Sequence, residues 1–354
     1  MSDQSHSAQG TQFLFVIAAL VIIIWGFTLA QSVIVLFLVS AFLAVLGIPQ
    51  VLWLQRKRVP PVLAALIVIC GMVAVLLIAG VLVGASLSSF TVNIPAYQAR
   101  LQEQIQSLKM YLAGKGIENV DKILSEYVDP AALMRLTASL LSGLGSALSN
   151  IFLILLIVTF ILLEAPNFPA KLKAAFGSRM LKARPFMQFI DDINHYVVVK
   201  TGVSVSTGIL TGVWLAVLGV DFPVLWGFLS FLLNYVPSLG VVIAAVPAVL
   251  LALVQYGLGR ALLVAIGYLA VNIVVGSILE PRIVGRGVGL STLVVFLSLV
   301  LWGSIFGLVG MVLCVPITMT LKFALENNEE TRWFAVLLGR EPSTPSPQSD
   351  PKTS

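Results

Sequence analysis

The sequence FPVLWGFLSFLLNYVPSLGVVIAAVPAVLLALVQYG, residues 222–257, decides the fold of this chain. It is apolar almost throughout, but its centre carries Asn234, Tyr235, Pro237 and Gly240. As a helix, residues 222–236 would rise about 22 Å, which is less than the roughly 30 Å of a hydrocarbon core. Pro237 lacks an N–H and clashes with the preceding turn, so it interrupts the helix. We therefore predict a broken hairpin that enters a membrane and returns to the same side.

A broken apolar segment of this kind has two interpretations. Free backbone groups at membrane depth persist only inside protein or beside a water-filled cavity, and interrupted hydrophobic segments mark binding sites in transporters. On that interpretation Asn234 and Tyr235 offer donors and acceptors suited to a small hydroxylated solute. The alternative is a proline kink whose free groups are satisfied by neighbouring helices.

Composition places the chain in a membrane. Of its 354 residues, 58% are hydrophobic and only 10% are charged, and several apolar runs are longer than a soluble core helix needs. The short alternating segments of a membrane barrel are missing from the sequence. The net charge of +5 comes from Lys and Arg beside apolar runs, where topology explains them better than nucleic-acid binding does. The predicted fold class is all-α: a polytopic integral membrane protein with six or more spanning helices, two broken hairpins and an extracytoplasmic helical insert.

Motifs for catalysis or metal binding are missing from the sequence. Cys70 and Cys314 each lie within an apolar run and form neither a disulfide framework nor a metal motif. No zinc pattern, Walker loop, nucleophile elbow or dinucleotide fingerprint occurs. We predict a protein that is not an enzyme and that uses no cofactor or metal.

The first 90 residues predict three membrane spans. Residues 13–54 would form about 63 Å of helix, enough for two spans that turn near residues 30–32. Arg56, Lys57 and Arg58 follow, and three positive charges in a short loop indicate the cytoplasmic side. The N-terminus is then cytoplasmic as well. A third span, residues 62–88, leads to the other face.

Residues 91–147 change character. Apolar side chains recur there at helical spacing among polar ones, and five Lys or Arg balance five Asp or Glu. We predict an extracytoplasmic amphipathic helical insert. Its apolar stripes indicate packing on the membrane part or on another subunit.

Residues 148–325 are predicted to form the membrane transport core. Its spans are 148–163, 201–220 and 261–279, the last of which carries Asn272. The side chains that lead into the second of these spans are interpreted as a solvated, partly ion-paired linker: Asp191, Asp192, His195 and Lys200. The tail, residues 326–354, is predicted to be cytoplasmic, and its Pro and Ser content predicts disorder from about residue 341.

A second interrupted segment, residues 291–323, is similar to the first. As one helix it would be about 50 Å long, and WGSIFG at 302–307 interrupts it. The string FLS at 228–230 recurs at 296–298. One span separates the two hairpins, so they would begin on opposite faces, as in an inverted repeat with the site between the two tips. Chance similarity between short apolar strings is the alternative.

Glu280 is the most telling ionisable side chain, because a carboxylate near apolar depth is costly and usually faces a cavity or a partner. A desolvated carboxylate can carry a coupling proton, whereas a carboxylate paired with Arg282 stays ionised and structural. The candidate substrate-binding residues are Asn234, Tyr235, Pro237, Gly240, Asn272, Glu280 and Arg282.

Five strings carry a further signal: FILLEAP (160–166), HYVVVKT (195–201), LNYVPSLG (233–240), ILEPRIVG (278–285) and LSTLVVFLSL (290–299). Together they resemble the autoinducer-2 exporter family of bacterial membrane proteins, over roughly residues 13–326. The resemblance implies a multispan inner-membrane protein that moves a small solute outward without hydrolysing ATP, as a homo-oligomer. Carried over to this chain, the signature positions of the family are Asn234, Tyr235, Pro237, Gly240, Glu280, Pro281 and Arg282.

The resemblance predicts a secondary exporter of autoinducer-2 or a similar small polar solute, with both termini in the cytoplasm. Because the family also includes members linked to sodium/proton exchange, an antiporter is the alternative. A non-transporting scaffold that binds a partner through residues 91–147 is a second alternative. The predicted partners are the solute or ion, the lipid bilayer and further copies of the chain, but no nucleic acid.

Overall fold

The computed structural model describes residues 18–19, 22, 25–113, 150–168, 170–171, 174, 180–237, 239–284, 289–326 and 329–339. Within these ranges five helices are long and apolar enough to cross a membrane: Gln31–Arg56, Pro61–Phe90, Phe186–Val217, Leu258–Leu279 and Thr292–Glu326. The described ranges are helical and contain no named strand. The predicted all-α polytopic membrane fold is therefore confirmed.

We number the helices in chain order. They are α1 (Gln31–Arg56), α2 (Pro61–Ala113), α3 (Ile151–Glu164), α4 (Met180–Val217), α5 (Pro223–Leu233), α6 (Gly240–Tyr256), α7 (Leu258–Val271), α8 (Glu280–Val284), α9 (Thr292–Glu326) and α10 (Arg332–Leu338). A 3-10 turn, Ala165–Asn167, follows α3, and a π-helical segment, Asn272–Leu279, joins α7 to α8.

Two predicted element boundaries lie inside continuous helices. The 53 residues of α2 rise about 80 Å, so the helix continues without a break from the predicted third span into the predicted insert. Residues 114–149 and the tail beyond residue 339 lie outside the described residues, so the insert and the disordered tail stay predictions. The segment interpreted as a linker before residue 201 belongs to α4, which begins at Met180.

Contacts along α4 fix the direction of α7. Arg260 at the start of α7 donates to the carbonyl of Leu218 (3.4 Å), whereas Glu280 after α7 pairs with Lys200 (2.6 Å). Helices α4 and α7 are therefore antiparallel over the same depth. We call the two levels the Asp221 side, where α4 ends, and the Lys200 side.

Both predicted hairpins are present. Hairpin 1, residues 222–257, consists of α5 and α6 and enters from the Asp221 side. Hairpin 2, residues 292–326, is α9 folded back at Gly307, whose φ of 62° and ψ of −143° lie outside helical geometry. Its two arms pack on each other, since Trp302 Nε1 of the first arm donates to Thr318 Oγ1 of the second at 3.0 Å. Thr292–Glu326 is thus a hairpin from the Lys200 side, although its length alone would suit a straight span.

The tips of the hairpins do not meet, so the predicted pocket between them is wrong. Tyr235 at the tip of hairpin 1 contacts Phe42, with ring centroids 5.5 Å apart. Phe306 at the tip of hairpin 2 contacts Phe27, with centroids 6.2 Å apart. Phe27 and Phe42 are separated by about 22 Å of helical chain. The hairpins therefore pass each other instead of meeting at the bilayer midplane.

A different cavity forms where the hairpins overlap. Pro237 at the tip of hairpin 1 lines it together with Thr292, Val295 and Phe296 at the base of hairpin 2, and its volume is about 270 Å³. Hairpin 2 is closed at its base by the C-terminal segment, because the Ser291 N–H donates to the Leu338 carbonyl at 3.1 Å.

Two hydrophobic clusters hold the helices together. The larger surrounds the hairpins, α4 and α7, with Trp226 fully buried at its centre. The smaller joins α1, α2 and α3 around Val158 and Leu162. The outward faces carry many exposed large apolar side chains, among them Phe37, Val81 and Phe160. A lipid environment accounts for such a surface, because apolar faces this extensive are rare on soluble monomers.

Candidate functional site

A buried polar stripe runs along one face of α4. Lys200, Ser204, Thr207 and Thr211 follow one another at three- and four-residue spacing, which places them on the same side of a helix. They are 5%, 0%, 2% and 1% exposed, respectively. Polar side chains this deeply buried in a membrane protein need partners. Lys200 pairs with Glu280, Ser204 accepts a bond from hairpin 1, and Thr207 donates to the Val203 carbonyl of its own helix.

The tip of hairpin 1 is bonded to this stripe. Asn234 Nδ2 donates to Ser204 Oγ at 3.0 Å. The Tyr235 hydroxyl donates a hydrogen bond to Thr201 Oγ1 at 2.6 Å. The Thr201 hydroxyl in turn donates to the Val197 carbonyl at 2.7 Å. The side chains at the proline break are thus satisfied by a neighbouring helix, as the kink interpretation expects. Their role as a binding site stays a prediction.

Close backbone approach brings the tip to α4. A Cβ atom at Gly208 of α4 would lie 2.7 Å from the Gly227 carbonyl oxygen of α5, so only glycines allow this crossing. Within hairpin 1, a Cβ at Gly240 would overlap the carbonyl of Leu233. Gly240, predicted as a binding residue, therefore has a steric role, because it lets α6 start directly against the end of α5.

Glu280 is held by Lys200, 80 residues earlier in the chain. Their side chains are 24% and 7% exposed, respectively, and Nζ lies 2.6 Å from Oε1. Lys200 is therefore the partner of Glu280, in place of Arg282, which was one of the two alternatives for this carboxylate and is exposed. The π-helical segment before Glu280 explains its direction, because each π turn contains more residues than an α turn and rotates the side chains that follow.

The seven predicted residues divide into three groups. Asn234, Tyr235, Pro237 and Gly240 form the tip of hairpin 1. Glu280 joins them through Lys200, which precedes the Tyr235 partner Thr201. Asn272 is half-buried at the start of the π segment, with Oδ1 directed at Gly276. Within the described residues, no hydrogen bond or ion pair joins Asn272 or Arg282 to the tip.

Sequence reasoning missed Lys200, Thr201 and Ser204 as members of the site. The signal for them is the periodic placement of polar residues on α4, the first of which the sequence analysis assigns to a linker. Thr211 Oγ1 and Asn194 Oδ1 are buried without a hydrogen-bond partner in the described part of the chain. Buried polar atoms normally find a protein, water or ligand partner, so these two atoms mark positions that water or a solute can satisfy.

A second polar cluster closes hairpin 1 on the Asp221 side. Tyr97 of α2 donates to Asp221 Oδ2 at 3.0 Å, and the Gln255 amide donates to the same oxygen. The Asp221 backbone N–H donates in turn to Gln255 Oε1 at 3.2 Å. Burial and the Asp221 carboxylate raise the pKa of Tyr97 to about 12, so Tyr97 donates its proton to this cluster at neutral pH. We call these three residues the Asp221 clamp.

Comparison with known proteins agrees with this architecture. The family described as AI-2E family transporter matches residues 14–330. The AI-2 transport protein TqsA of Escherichia coli strain K12 is 42% identical over 96% of this chain and 98% of its own length. A putative transport protein of Haemophilus influenzae is 38% identical, over 91% and 94%. The putative transport protein YhhT of Escherichia coli K12 is 34% identical, over 96% and 97%.

These matches confirm the resemblance seen in the five sequence strings. Three of those strings contribute most of the bonded side chains of the site, with Lys200 and Thr201 in one, Asn234 and Tyr235 in another, and Glu280 in a third. Ser204 lies just beyond the first of these strings. The chain belongs to the AI-2E transporter family.

Proposed function

We propose that this protein is a secondary transporter that exports a small polar solute, with autoinducer-2 as the first candidate, across the bacterial inner membrane. The observation that carries the proposal is the buried polar stripe of α4 bonded to the tip of a broken hairpin. The name of the relative TqsA, an AI-2 transport protein at 42% identity, supports the choice of cargo.

The stripe is long enough to serve as a path. Asp192 and Tyr196 extend it from Lys200 by two turns at four-residue spacing, so the interval from Asp192 to Thr211 covers about 28 Å of helix. That length matches the roughly 30 Å hydrocarbon core. A solute that moves along α4 would therefore meet polar groups at every turn.

The bonds at the tip suit exchange with a solute. A neutral hydrogen bond contributes only about 1 kcal/mol net, so solute hydroxyls can replace the Asn234–Ser204 and Tyr235–Thr201 bonds at little cost. The Lys200–Glu280 pair closes the path below the tip, and the Asp221 clamp closes it above. On this proposal both contacts must open during a transport cycle.

Orientation and assembly complete the proposal. The α1–α2 loop with Arg56 and Arg58 lies on the Lys200 side, and positive loops favour the cytoplasm. Export then runs from the Lys200 side to the Asp221 side, with both termini cytoplasmic. The part of α2 beyond Phe90 extends about 35 Å past the predicted span, and it supplies a surface for contacts between copies in a homo-oligomer.

Sodium/proton antiport is the second candidate, and the Lys200–Glu280 pair is the observation that favours it. A carboxylate that faces a lysine at membrane depth can exchange its partner for a proton or a cation during a cycle. An antiporter would require Glu280 as the group that carries the ion, whereas an exporter would require Lys200 and Glu280 equally, as a pair that closes and opens.

Transport by the purified protein in proteoliposomes tests both candidates. We expect autoinducer-2 efflux from wild-type vesicles to fall at least about tenfold in Lys200→Gln and in Glu280→Gln, because an unpaired charge left at this depth costs several kcal/mol. The matched control is Lys171→Gln, which breaks the exposed Lys171–Glu164 pair, whose side chains are 68% and 52% exposed. This control should transport normally, since exposed pairs contribute little.

The outcomes separate the candidates. Internal pH that responds to added sodium, and no longer responds in Glu280→Gln, would favour antiport. Wild-type vesicles that move neither solute nor ions would contradict both candidates and favour a scaffold.

A further inference from the structure

A cleft with polar walls lies on the Lys200 side, between the first half of α4 and the last turns of α9. Its volume is about 290 Å³, and its polar walls are formed by Gln188 and Asp192 of α4 and by Lys322 and Glu326 of α9. Since one water takes about 30 Å³ of liquid, this volume suits a solute of roughly ten non-hydrogen atoms.

One wall of the cleft is aromatic. Phe189 and Phe323 both line it, and their rings are stacked with centroids 4.2 Å apart and an interplanar angle of 9°. Because the two rings stack on each other, they form an apolar wall that can pack against the C–H groups of a solute, while the polar groups opposite bind its hydroxyls.

The charges of the cleft indicate which solutes fit. Two carboxylates, Asp192 and Glu326, accept hydrogen bonds from hydroxyls, and charge-assisted bonds of this kind are stronger than neutral ones. Lys322 is already engaged, because its Nζ donates to the Gly289 carbonyl at 2.8 Å and lies 3.5 Å from Glu326 Oε1. Two negative groups against one engaged positive group favour an uncharged polyol and disfavour a phosphate.

The cleft opens onto the beginning of the polar stripe. Asp192 precedes Lys200 by eight residues, or about 12 Å along α4. Tyr196 lies between them on the same face, at four-residue spacing from both. A solute held against Asp192 is therefore two helical turns from the Lys200–Glu280 pair that closes the path.

We propose that this cleft is the loading site of the transporter and that it binds small, uncharged polyhydroxylated solutes before the Lys200–Glu280 pair opens. The inference rests on the proposed export function for the direction of movement. It adds a binding site and a substrate class.

Calorimetric titration of the full chain in lipid nanodiscs tests the site. The probes are ribose, an uncharged furanose-forming sugar, and ribose 5-phosphate. We expect wild-type protein to bind ribose at least about tenfold more tightly than ribose 5-phosphate. Binding of ribose should fall about tenfold or more in Asp192→Asn/Glu326→Gln, because two charged acceptors are removed.

The control is Asp191→Asn/Glu329→Gln, which removes the same charges from exposed neighbours outside the cleft. It should bind ribose as the wild type does. A second variant, Phe323→Leu, keeps every charge and should weaken ribose binding several-fold through loss of the stacked wall. The inference is overturned if wild type binds no ribose, if it prefers the phosphate, or if the double variant binds like its control.

Transport measured on the same variants separates this inference from the proposed function. If Asp192→Asn/Glu326→Gln binds ribose and exports autoinducer-2 like wild type, the cleft is not the loading site, while the export function stands. If wild type binds ribose in the cleft but moves no solute, the export function fails and the cleft stands as a binding site.

Discussion

The two hairpins solve the same steric problem in the same way. Each places a glycine in its return arm against a carbonyl of its outbound arm, Gly240 against Leu233 and Gly310 against Trp302. In both, a Cβ atom would overlap that carbonyl. The arms of each hairpin can therefore pack at backbone contact and satisfy the membrane requirement that turns be enclosed by protein.

The hairpins differ in where their polar side chains are bonded. Hairpin 1 bonds Asn234 and Tyr235 outward, to α4. Hairpin 2 bonds its polar groups internally, because Thr318 donates to Ser298 Oγ at 2.8 Å and accepts from Trp302. Hairpin 2 therefore satisfies these polar groups within itself, whereas the tip of hairpin 1 depends on α4 for its partners, which are the bonds that the proposed solute would replace.

The largest effect is expected from substitution of the glycine that each hairpin has in its return arm. Gly240→Ala and Gly310→Ala each place a methyl group on a backbone carbonyl, and overpacking of this severity costs about 2–4 kcal/mol. We expect both variants to unfold at clearly lower temperature, measured by fluorescence-detected thermal unfolding in detergent. If either variant unfolds like wild type, the arms of that hairpin are farther apart than the structure places them.

The control for this experiment is Gly259→Ala, at the start of α7. No heavy atom lies within 4 Å of a Cβ atom at that position, and its φ is not positive. Alanine is a better helix former than glycine by up to about 1 kcal/mol, so this variant should be as stable as wild type or slightly more stable.

The sequence predicts the hairpins but not their partners. Pro237 and the glycines at 303 and 307 interrupt apolar runs, which is a local signal that needs no knowledge of the fold. The depth of each tip depends on contacts such as Tyr235–Phe42, across nearly 200 residues of chain, and periodicity carries no information on such contacts. The Lys200–Glu280 pair was missed for the same reason, and because the π segment before Glu280 turns the side chain in a direction that regular α-helical spacing does not give.

A smaller effect is expected from variants that test where each hairpin bonds its polar side chains. Asn234→Ala and Thr318→Val each remove a buried polar group and leave its partners unsatisfied, which costs about 1–3 kcal/mol. Stability should fall similarly in both variants. Transport in proteoliposomes, normalised to folded protein, should fall several-fold only in Asn234→Ala, because only hairpin 1 bonds to the path along α4.

The comparison between the hairpins would fail in two ways. Thr318→Val that transports poorly while it remains folded would place hairpin 2 on the path as well. Asn234→Ala with wild-type transport would mean that the tip bonds serve packing alone. Tyr235→Phe provides an independent measurement at the same tip, since it removes only the hydroxyl that donates a hydrogen bond to Thr201.

The smallest effect concerns the Asp221 clamp, which ties hairpin 1, but no part of hairpin 2, to α2. Tyr97→Phe removes one hydrogen bond and should lower stability by about 1 kcal/mol. Since the pKa of Tyr97 is raised to about 12 in the folded protein, against about 10 in an unfolded chain, this contribution is complete below pH 10. It is lost as pH rises through 12, because the folded state then loses the proton that it had held more tightly. The difference in unfolding temperature between wild type and Tyr97→Phe should therefore be constant up to about pH 10 and shrink above it.

In Asp221→Asn the pKa of Tyr97 should fall only part of the way from about 12 towards about 10, because burial, the larger cause of the shift, remains. A tyrosine that titrates near 10 in wild type and is missing in Tyr97→Phe, followed by absorbance at alkaline pH, would show that α2 does not hold the mouth of hairpin 1.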